Sequence, residues 1–313
     1  LIKEKIEMQK YWFALLVAVA VLAQSLVVDR PLKQTIGEAG TERIFRDVSY
    51  AAISPTQVMD IYLPEGDGPF PVVVLIHGGA FKMGDKRMET RNAEALVAKG
   101  YAAASINYRL SGEAKFPAQI EDCKAAVRFL RANAAKYKLN LEKIGSWGAS
   151  AGGNLSAMLG TSSGVAELEG IHLGNAGVSS KVKASVDWFG PINFLTMDEE
   201  AKSLNLSINT NSETSPESQL IGKAIQSAPE LVAKANPATY ITKDDAAFFI
   251  QVGSQDRNIP YLQSQKFFES LKAALGPGKV SFELLEGAGH GGPQFSSPAN
   301  LEKVIAFFDQ HLK

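Results

Sequence analysis

The stretch Pro71-Val-Val-Val-Leu-Ile76 constrains this chain more than any other, because it is apolar at every position. A strand of that kind has no face left for water, so it belongs inside a sheet covered on both sides. Segments of the two periodicities take turns around it. Val58–Leu63 alternates as a half-buried strand, residues 88–99 read as a helix, and Tyr101–Ile106 reads as the next strand. A long helix is expected from near Pro117, a residue suited to a first helical turn, to about Lys138. Lys143–Trp147 reads as a short strand broken at Gly148, and Ala151–Leu159 as a helix. Further strands are expected at Lys183–Phe189, Ala247–Val252 and Val280–Leu285. The last helix opens at Ser297-Pro298 and carries Val304, Ile305, Phe307 and Phe308. Buried strands alternating with helices predict an α/β fold, a mostly parallel central sheet with helices on both faces.

No internal repeat or linker divides residues 26–313, which read as one domain. Two polar stretches, about 161–182 and 198–235, are rich in Gly, Ser and Asn and interrupt the rhythm. They are expected to be insertions that build a small cap over the functional end of the sheet. Ahead of the domain, Lys10 is followed by an uncharged run of 13 residues from Tyr11 to Ala23. That run is short of the ~20 residues a membrane span needs. It matches the core of a secretory signal, with Ala18, Ala20 and Ala23 as small residues for cleavage. Residues 1–25, including 1–7 ahead of the candidate start Met8, are therefore set aside as an N-terminal extension and signal peptide. The mature chain is expected to be secreted or periplasmic, with no stable membrane span.

The 32 basic and 33 acidic side chains leave a net charge of −1 without a basic run, which argues against nucleic acid as a partner. The lone Cys123 cannot form an internal disulfide or build a zinc site, and beside Ala126, Val127 and Leu130 it reads as a small buried residue. Nothing calls for a metal or an organic cofactor. Oligomeric state leaves no trace in the sequence.

The chemistry concentrates in Gly148-Ala149-Ser150-Ala151-Gly152. A G-x-S-x-G is weak alone, but this one ends a predicted strand and opens a predicted helix, the placement that a nucleophile elbow requires. The serine must sit in a sharp, strained turn that pushes its hydroxyl outward, and side chains two residues either way would collide with strand and helix. A second motif, His77-Gly78-Gly79-Ala80-Phe81, follows the apolar strand. Its backbone can approach a reacting carbonyl oxygen, so the Gly78, Gly79 and Ala151 N–H groups are assigned to an oxyanion hole. Each such donor can contribute about 3–4 kcal/mol.

The base follows by elimination among four histidines. His77 belongs to the glycine motif and is assigned a backbone-ordering role, His172 lies in the first insertion, and His311 lies near the C-terminus on the final helix. His290 remains, in Gly289-His290-Gly291 between the last strand and the last helix. A neutral imidazole there can take the Ser150 proton and pass it to the leaving group, so turnover should fall in acid. The orienting carboxylate should follow a core strand between serine and histidine in chain order. Asp256 does. Asp244 and Asp245 precede that strand, Asp187 lies within a strand, and Glu286 is too close to His290 in sequence.

These residues resemble the α/β-hydrolase esterases of the hormone-sensitive-lipase-like group, with bacterial feruloyl-esterase-like and acetyl-esterase-like members most similar. The resemblance runs from about Ile44 to the C-terminus. It rests on Asp60-Ile61-Tyr62-Leu63-Pro64, the His77 motif, Ser105–Leu110, Phe116-Pro117-Ala118 with Glu121-Asp122, Gly148–Leu155, Asp256–Pro260 and Gly289-His290-Gly291. It implies hydrolysis of short-acyl carboxylic esters, small or carbohydrate-linked, including acetyl or feruloyl decorations of plant polysaccharide. It also implies structural roles for Tyr108, Arg109, Glu121 and Asp122. Ala80 departs from a third glycine found in many relatives, which bears on bulky tertiary-alcohol esters, and Ser254-Gln255 replace acidic or small residues. Two rival readings share the scaffold: a serine peptidase, and a binding module without catalysis.

Overall fold

A computed structural model describes residues 43–313. The signal expected within residues 1–25 lies outside the described residues. Eight strands form one sheet: β1 (Ile44–Ser49), β2 (Val58–Tyr62), β3 (Phe70–Ile76), β4 (Ala102–Ile106), β5 (Leu139–Ala149), β6 (Ala184–Trp188), β7 (Ala247–Gly253) and β8 (Val280–Leu285). Their order is β1-β2-β4-β3-β5-β6-β7-β8. Pairing is antiparallel at β1–β2 and β2–β4 and parallel from β4 to β8. The helices are α1 (Thr90–Val97), α2 (Ala118–Ala132), α3 (Ala151–Thr161), α4 (Met197–Ser203), α5 (Pro216–Ile221), α6 (Pro229–Lys234), α7 (Tyr261–Leu275), α8 (Pro293–Ser296) and α9 (Pro298–Leu312). This is the α/β-hydrolase arrangement. Among the described residues no helix is long and apolar enough to cross a membrane.

The apolar run in β3 explains how the layers stack. Successive side chains of a strand point to opposite faces. Val72, Val74 and Ile76 join a core with Ile120 and Val127 of α2, Leu155 and Met158 of α3, and Phe267 of α7. Val73 and Leu75 join a second core with Leu96 of α1, Trp147, and Val304 and Phe308 of α9. These five side chains, Val72 to Ile76, are fully buried. Each is worth roughly 1.5–3 kcal/mol of burial, so a polar residue at any of them would cost a large share of a domain's stability.

One whole strand, β1, the end of α2 and the start of β5, expected at Lys143, differ from the sequence reading for physical reasons. β1 was not anticipated: it is a mostly exposed edge strand, irregular between Phe45 and Val48, with Asp47 at φ 51. A bulge of that kind erases the two-residue alternation. α2 stops at Ala132 instead of near Lys138. Buried Tyr137 packs edge-on against Phe45 at 5.1 Å, and Lys138 at φ 54 turns the chain into β5, which begins at Leu139.

The first expected cap insertion, 161–182, lies elsewhere. It follows α3, which runs back from Ser150 towards the amino ends of the parallel strands, and it delivers the chain to the start of β6. There Lys183 N–H donates to Ile144 O (2.8 Å), and Ala247 N–H donates to Lys183 O (2.9 Å). The segment is fastened to α2. Glu169 accepts from buried Lys124 (2.8 Å) and from Ser180, while the Arg128 guanidinium donates to Gly170 O (2.8 Å) and Gly174 O (3.2 Å). Only the second insertion, 198–235, reaches the end of the sheet that carries Ser150.

Candidate active site

Ser150 caps the junction of β5 and α3 at φ 56, ψ −123. A left-handed serine stores strain, of order 1–3 kcal/mol, which only an over-determined surrounding tolerates. That surrounding is tight: a Cβ at Gly148 would lie 2.1 Å from Gly152 O, and one at Gly152 would lie 2.0 Å from Ile76 O. Ser150 N–H donates to Trp188 O (2.8 Å), which fixes the turn to β6. The first turn of α3 then carries its unpaired N–H groups, and the positive end of its dipole, beside the hydroxyl.

The other two expected residues meet it there. His290 Nε2 is 2.9 Å from Ser150 Oγ, and His290 Nδ1 is 2.8 Å from Asp256 Oδ2. The second Asp256 oxygen accepts from Asn258 N–H (2.8 Å) and Ile259 N–H (3.0 Å), so the buried carboxylate has no freedom to rotate. With the Nδ1 proton directed at the carboxylate, Nε2 is left as the acceptor for the serine proton. The imidazole packs edge-on against Phe189, with centroids 4.7 Å apart. The loops carrying acid and base are also joined directly. Gln255 N–H donates to Ala288 O (2.8 Å), Ser254 N–H donates to Leu285 O (3.0 Å), and Gly287 N–H donates to Ser254 Oγ (2.9 Å). Ser254 and Gln255, noted above only as departures, therefore supply the tie between the loops.

The glycine motif lies on the opposite side of Ser150. A Cβ at Gly78 would stand 2.9 Å from Ala149 O and 3.4 Å from Ser150 Cβ, so this backbone lies directly against the elbow. Gly79, at φ 113, folds the loop so that its carbonyl accepts from Lys82 and Met83. Ala80 and Phe81, both left-handed at φ 55 and φ 60, wall the space next to Ser150 together with Ala151. Nothing in the sequence marks those two as strained, because neither is glycine. His77 is buried, and its Nδ1 lies 2.7 Å from Gly78 O while its ring stacks on Tyr108 at 4.4 Å. Burial holds its pKa below the ordinary imidazole range, with the Gly78 carbonyl pulling the other way. A neutral ring of this kind orders the loop. His172 is exposed in a turn of the amino-end segment, and His311 is half-buried against Phe307 on α9.

Asp187 lies one layer beneath the elbow. Its Oδ1 accepts from Gly190 N–H (2.8 Å), and its buried Oδ2 has no hydrogen-bond partner among the described residues. Burial pushes its pKa up to about 7, against the pull of the Gly190 N–H. Arg109 and Asp122 form a buried ion pair (2.8 Å), Asp122 also accepts from Gln57, and Glu121 stands 3.6 Å from the same guanidinium. This group braces the β4–α2 connection, away from Ser150.

A cavity of about 500 Å³ opens over Ser150 and His290. Phe81, Met197, Ile208 and Ile259 give it an apolar side; Asn209, Thr210, Ser212 and Glu217 give it a polar one. Among the described residues no group of three His, Cys, Asp or Glu side chains could hold a metal ion. The arrangement can deprotonate a hydroxyl, drive it onto an electrophilic carbon in the cavity, and return the proton to a leaving group.

Comparison with known proteins bears on the family and the fold. The family model described as BD-FAE matches residues 59–271. Esterase LipC of Mycobacterium tuberculosis is 29% identical over 246 residues, covering 76% of this chain and 57% of LipC. A truncated carbohydrate esterase from gut microbiota superposes with a TM-score of 0.78 at 32% identity, covering 88% of this chain and 98% of that one. A bifunctional GH43-CE of Bacteroides eggerthii has the same TM-score at 38% identity, covering 86% of this chain and 35% of that one. The chain spans just over half the length of the curated relatives it matches.

Proposed function

The chain belongs to the BD-FAE family, and from that premise we propose that it is a serine carboxylesterase acting on short-acyl esters. Acetyl and feruloyl esters of plant polysaccharide are the candidate natural substrates. Ser150 Oγ attacks the ester carbonyl while His290 Nε2 takes its proton, and Asp256 stabilises the imidazolium. The negative charge on the tetrahedral oxygen is met by the N–H groups of Gly78, Gly79 and Ala151. The C–O bond to the alcohol breaks as His290 returns the proton to it, which leaves an acyl-enzyme. Water, deprotonated by the same imidazole, then releases the acid.

One observation carries this reading: the unbroken chain from Asp256 through His290 to Ser150, at 2.8 and 2.9 Å, beneath an open cavity. Relatives named as esterases support the reaction class, and the neighbour named as a carbohydrate esterase supports the substrate class. The proposal includes export of the mature chain to the periplasm or medium.

The test is hydrolysis of 4-nitrophenyl esters of increasing acyl length, alongside labelling by a fluorophosphonate. Wild-type protein should be labelled once and should favour the shortest acyl groups. Ser150→Ala should lose labelling and at least about a thousandfold in kcat. Undiminished turnover in that variant would end the assignment.

A further inference from the structure

The polar side of the cavity contains one group that the proposed chemistry leaves unused. Glu217, in the first turn of the short helix α5, is 8% exposed and lines the same space as Ser150 and His290. Burial raises its carboxyl above the ordinary range, the Asp198 charge adds to that, and its own N–H and the Ser215 hydroxyl draw it back. Among the described residues, none of the groups acting on it is a cation. A carboxylate held at a substrate cavity without a positive partner is expensive for the fold alone to maintain.

Its surroundings are built. The Asp198 carboxylate accepts from Thr210 N–H (2.6 Å) and Asn211 N–H (3.1 Å), pinning the wall to the start of α4. Ser215 Oγ accepts from Ser218 N–H (3.0 Å) and sets the entry to α5. Gln263 then locks α4 to α7: it accepts from Ile192 N–H (2.9 Å) and donates to Thr196 Oγ1 (3.2 Å) and to Glu200. Around Glu217 this wall presents hydroxyl and amide groups from Asn209, Thr210, Ser212, Thr214 and Ser215.

We propose that Glu217 is the specificity-determining residue of this site, accepting hydrogen bonds from the ring hydroxyls of a sugar that carries the ester. The inference rests on the esterase reading above and names which part of the substrate the site recognises. A carboxylate accepts from two neighbouring hydroxyls at once, and hydroxyl donors to a charged acceptor make short, strong bonds. The flanking Ser, Thr and Asn groups both donate and accept, which matches a polyol and is wasted on an alkyl chain. An ammonium-bearing alcohol would also suit a lone anion. Cavities for such cations are walled by several aromatic faces, however, and here Phe81 is the sole Phe, Tyr or Trp among the described lining residues. A site built to bond a substrate hydroxyl rejects analogues that lack it, because its polar groups are left unpaired. The sugar therefore lies along 209–217, and the acyl group against Phe81, Met197 and Ile259.

The experiment measures kcat/KM for an O-acetylated methyl xyloside, for 4-nitrophenyl acetate and for acetylcholine, in wild type, Glu217→Gln and Glu217→Ala. The readout is the ratio of the xyloside value to the nitrophenyl value, which cancels losses common to both substrates. The ratio should fall at least tenfold in Glu217→Ala and by a smaller factor in Glu217→Gln, which keeps one acceptor. Nitrophenyl acetate turnover also reports that each variant is folded. A ratio unchanged within twofold would overturn the assignment of Glu217 while leaving the esterase reading intact. So would a wild type that prefers acetylcholine. A wild type that cleaves no ester sinks the esterase reading and this inference with it.

Discussion

The two irregular segments, 161–182 and 198–235, look alike as sequence but do opposite work. Both are rich in small polar residues and both separate core strands. The first follows a helix and leads into a strand, so it lies at the amino ends of the parallel strands, fastened by Glu169 to Lys124 on α2. The second comes after the carboxyl end of β6, so it begins at the edge where Ser150, Asp256 and His290 gather and walls their cavity. In a parallel sheet the element that precedes an insertion decides which edge receives it, and ligands bind at the carboxyl edge. Composition says nothing about that choice.

The comparison can be broken most forcefully at Glu169. Its carboxylate is held below the ordinary range: burial opposes the charge, but the Lys124 bond and charge, Ser180 and the Gly164 N–H outweigh it. Glu169→Ala leaves Lys124 buried without its counter-charge and Arg128 with only the charge of Glu121, and should cost about 3–5 kcal/mol in urea unfolding. At low temperature the folded variant should keep kcat/KM on 4-nitrophenyl acetate within twofold. A tenfold loss of turnover in folded protein would mean that the two ends of the sheet are not separate in function.

pH sharpens the contrast next, since the buried carboxyl beneath the elbow is shifted the other way. Glu169 contributes stability that is present at neutral pH and lost as pH falls through its lowered value. Asp187 is raised from 3.8 to about 7, so its contribution is complete in acid and is lost as pH rises through about 7. Between pH 5 and pH 8 that single group should remove roughly 2–3 kcal/mol. Asp187→Asn, which cannot ionise, should flatten this part of the curve in urea titrations at the two pH values. An equal loss in the variant would show that Asp187 is not its source.

The smallest effect concerns loop length. A Gly-Ser pair inserted after Gly177, an exposed position with open space around it, should cost under about 1 kcal/mol and leave KM unchanged. The same pair inserted after Asn211 displaces the cavity wall and should raise KM for acetylated xyloside several-fold. Equal KM values for the two insertions would contradict the division of labour.

Much of the fold is legible because most of its strands are buried on both faces, so their apolar runs stand out from the helical segments between them. β1 is illegible for the opposite reason: it is exposed and bulged. The end of α2 is set by tertiary contacts of Tyr137 and by a left-handed Lys138, neither of which a residue such as Gly or Pro announces. The geometry at Ser150, Asp256 and His290 could be anticipated because each residue lies in the loop or turn that follows a parallel strand, and such strands deliver those residues to one edge. The wall was legible only as a region: the stretch 198–235 reads as a cap insertion, while the burial of Thr210, Ser215 and Glu217 against the cavity depends on tertiary packing that no residue type announces.

The ties between 253–255 and 285–288 have a consequence for how this site can move. Acid and base share one foundation on β7 and β8, whereas the nucleophile is borne by β5, with β6 between them. Sliding or splaying of the sheet at β6 would leave the Asp256–His290 distance as it is and change only the gap across which the proton passes. Packing around β6, whose Trp188 carbonyl holds the Ser150 turn and whose neighbour Phe189 meets the His290 ring, is therefore where a substitution should alter that gap.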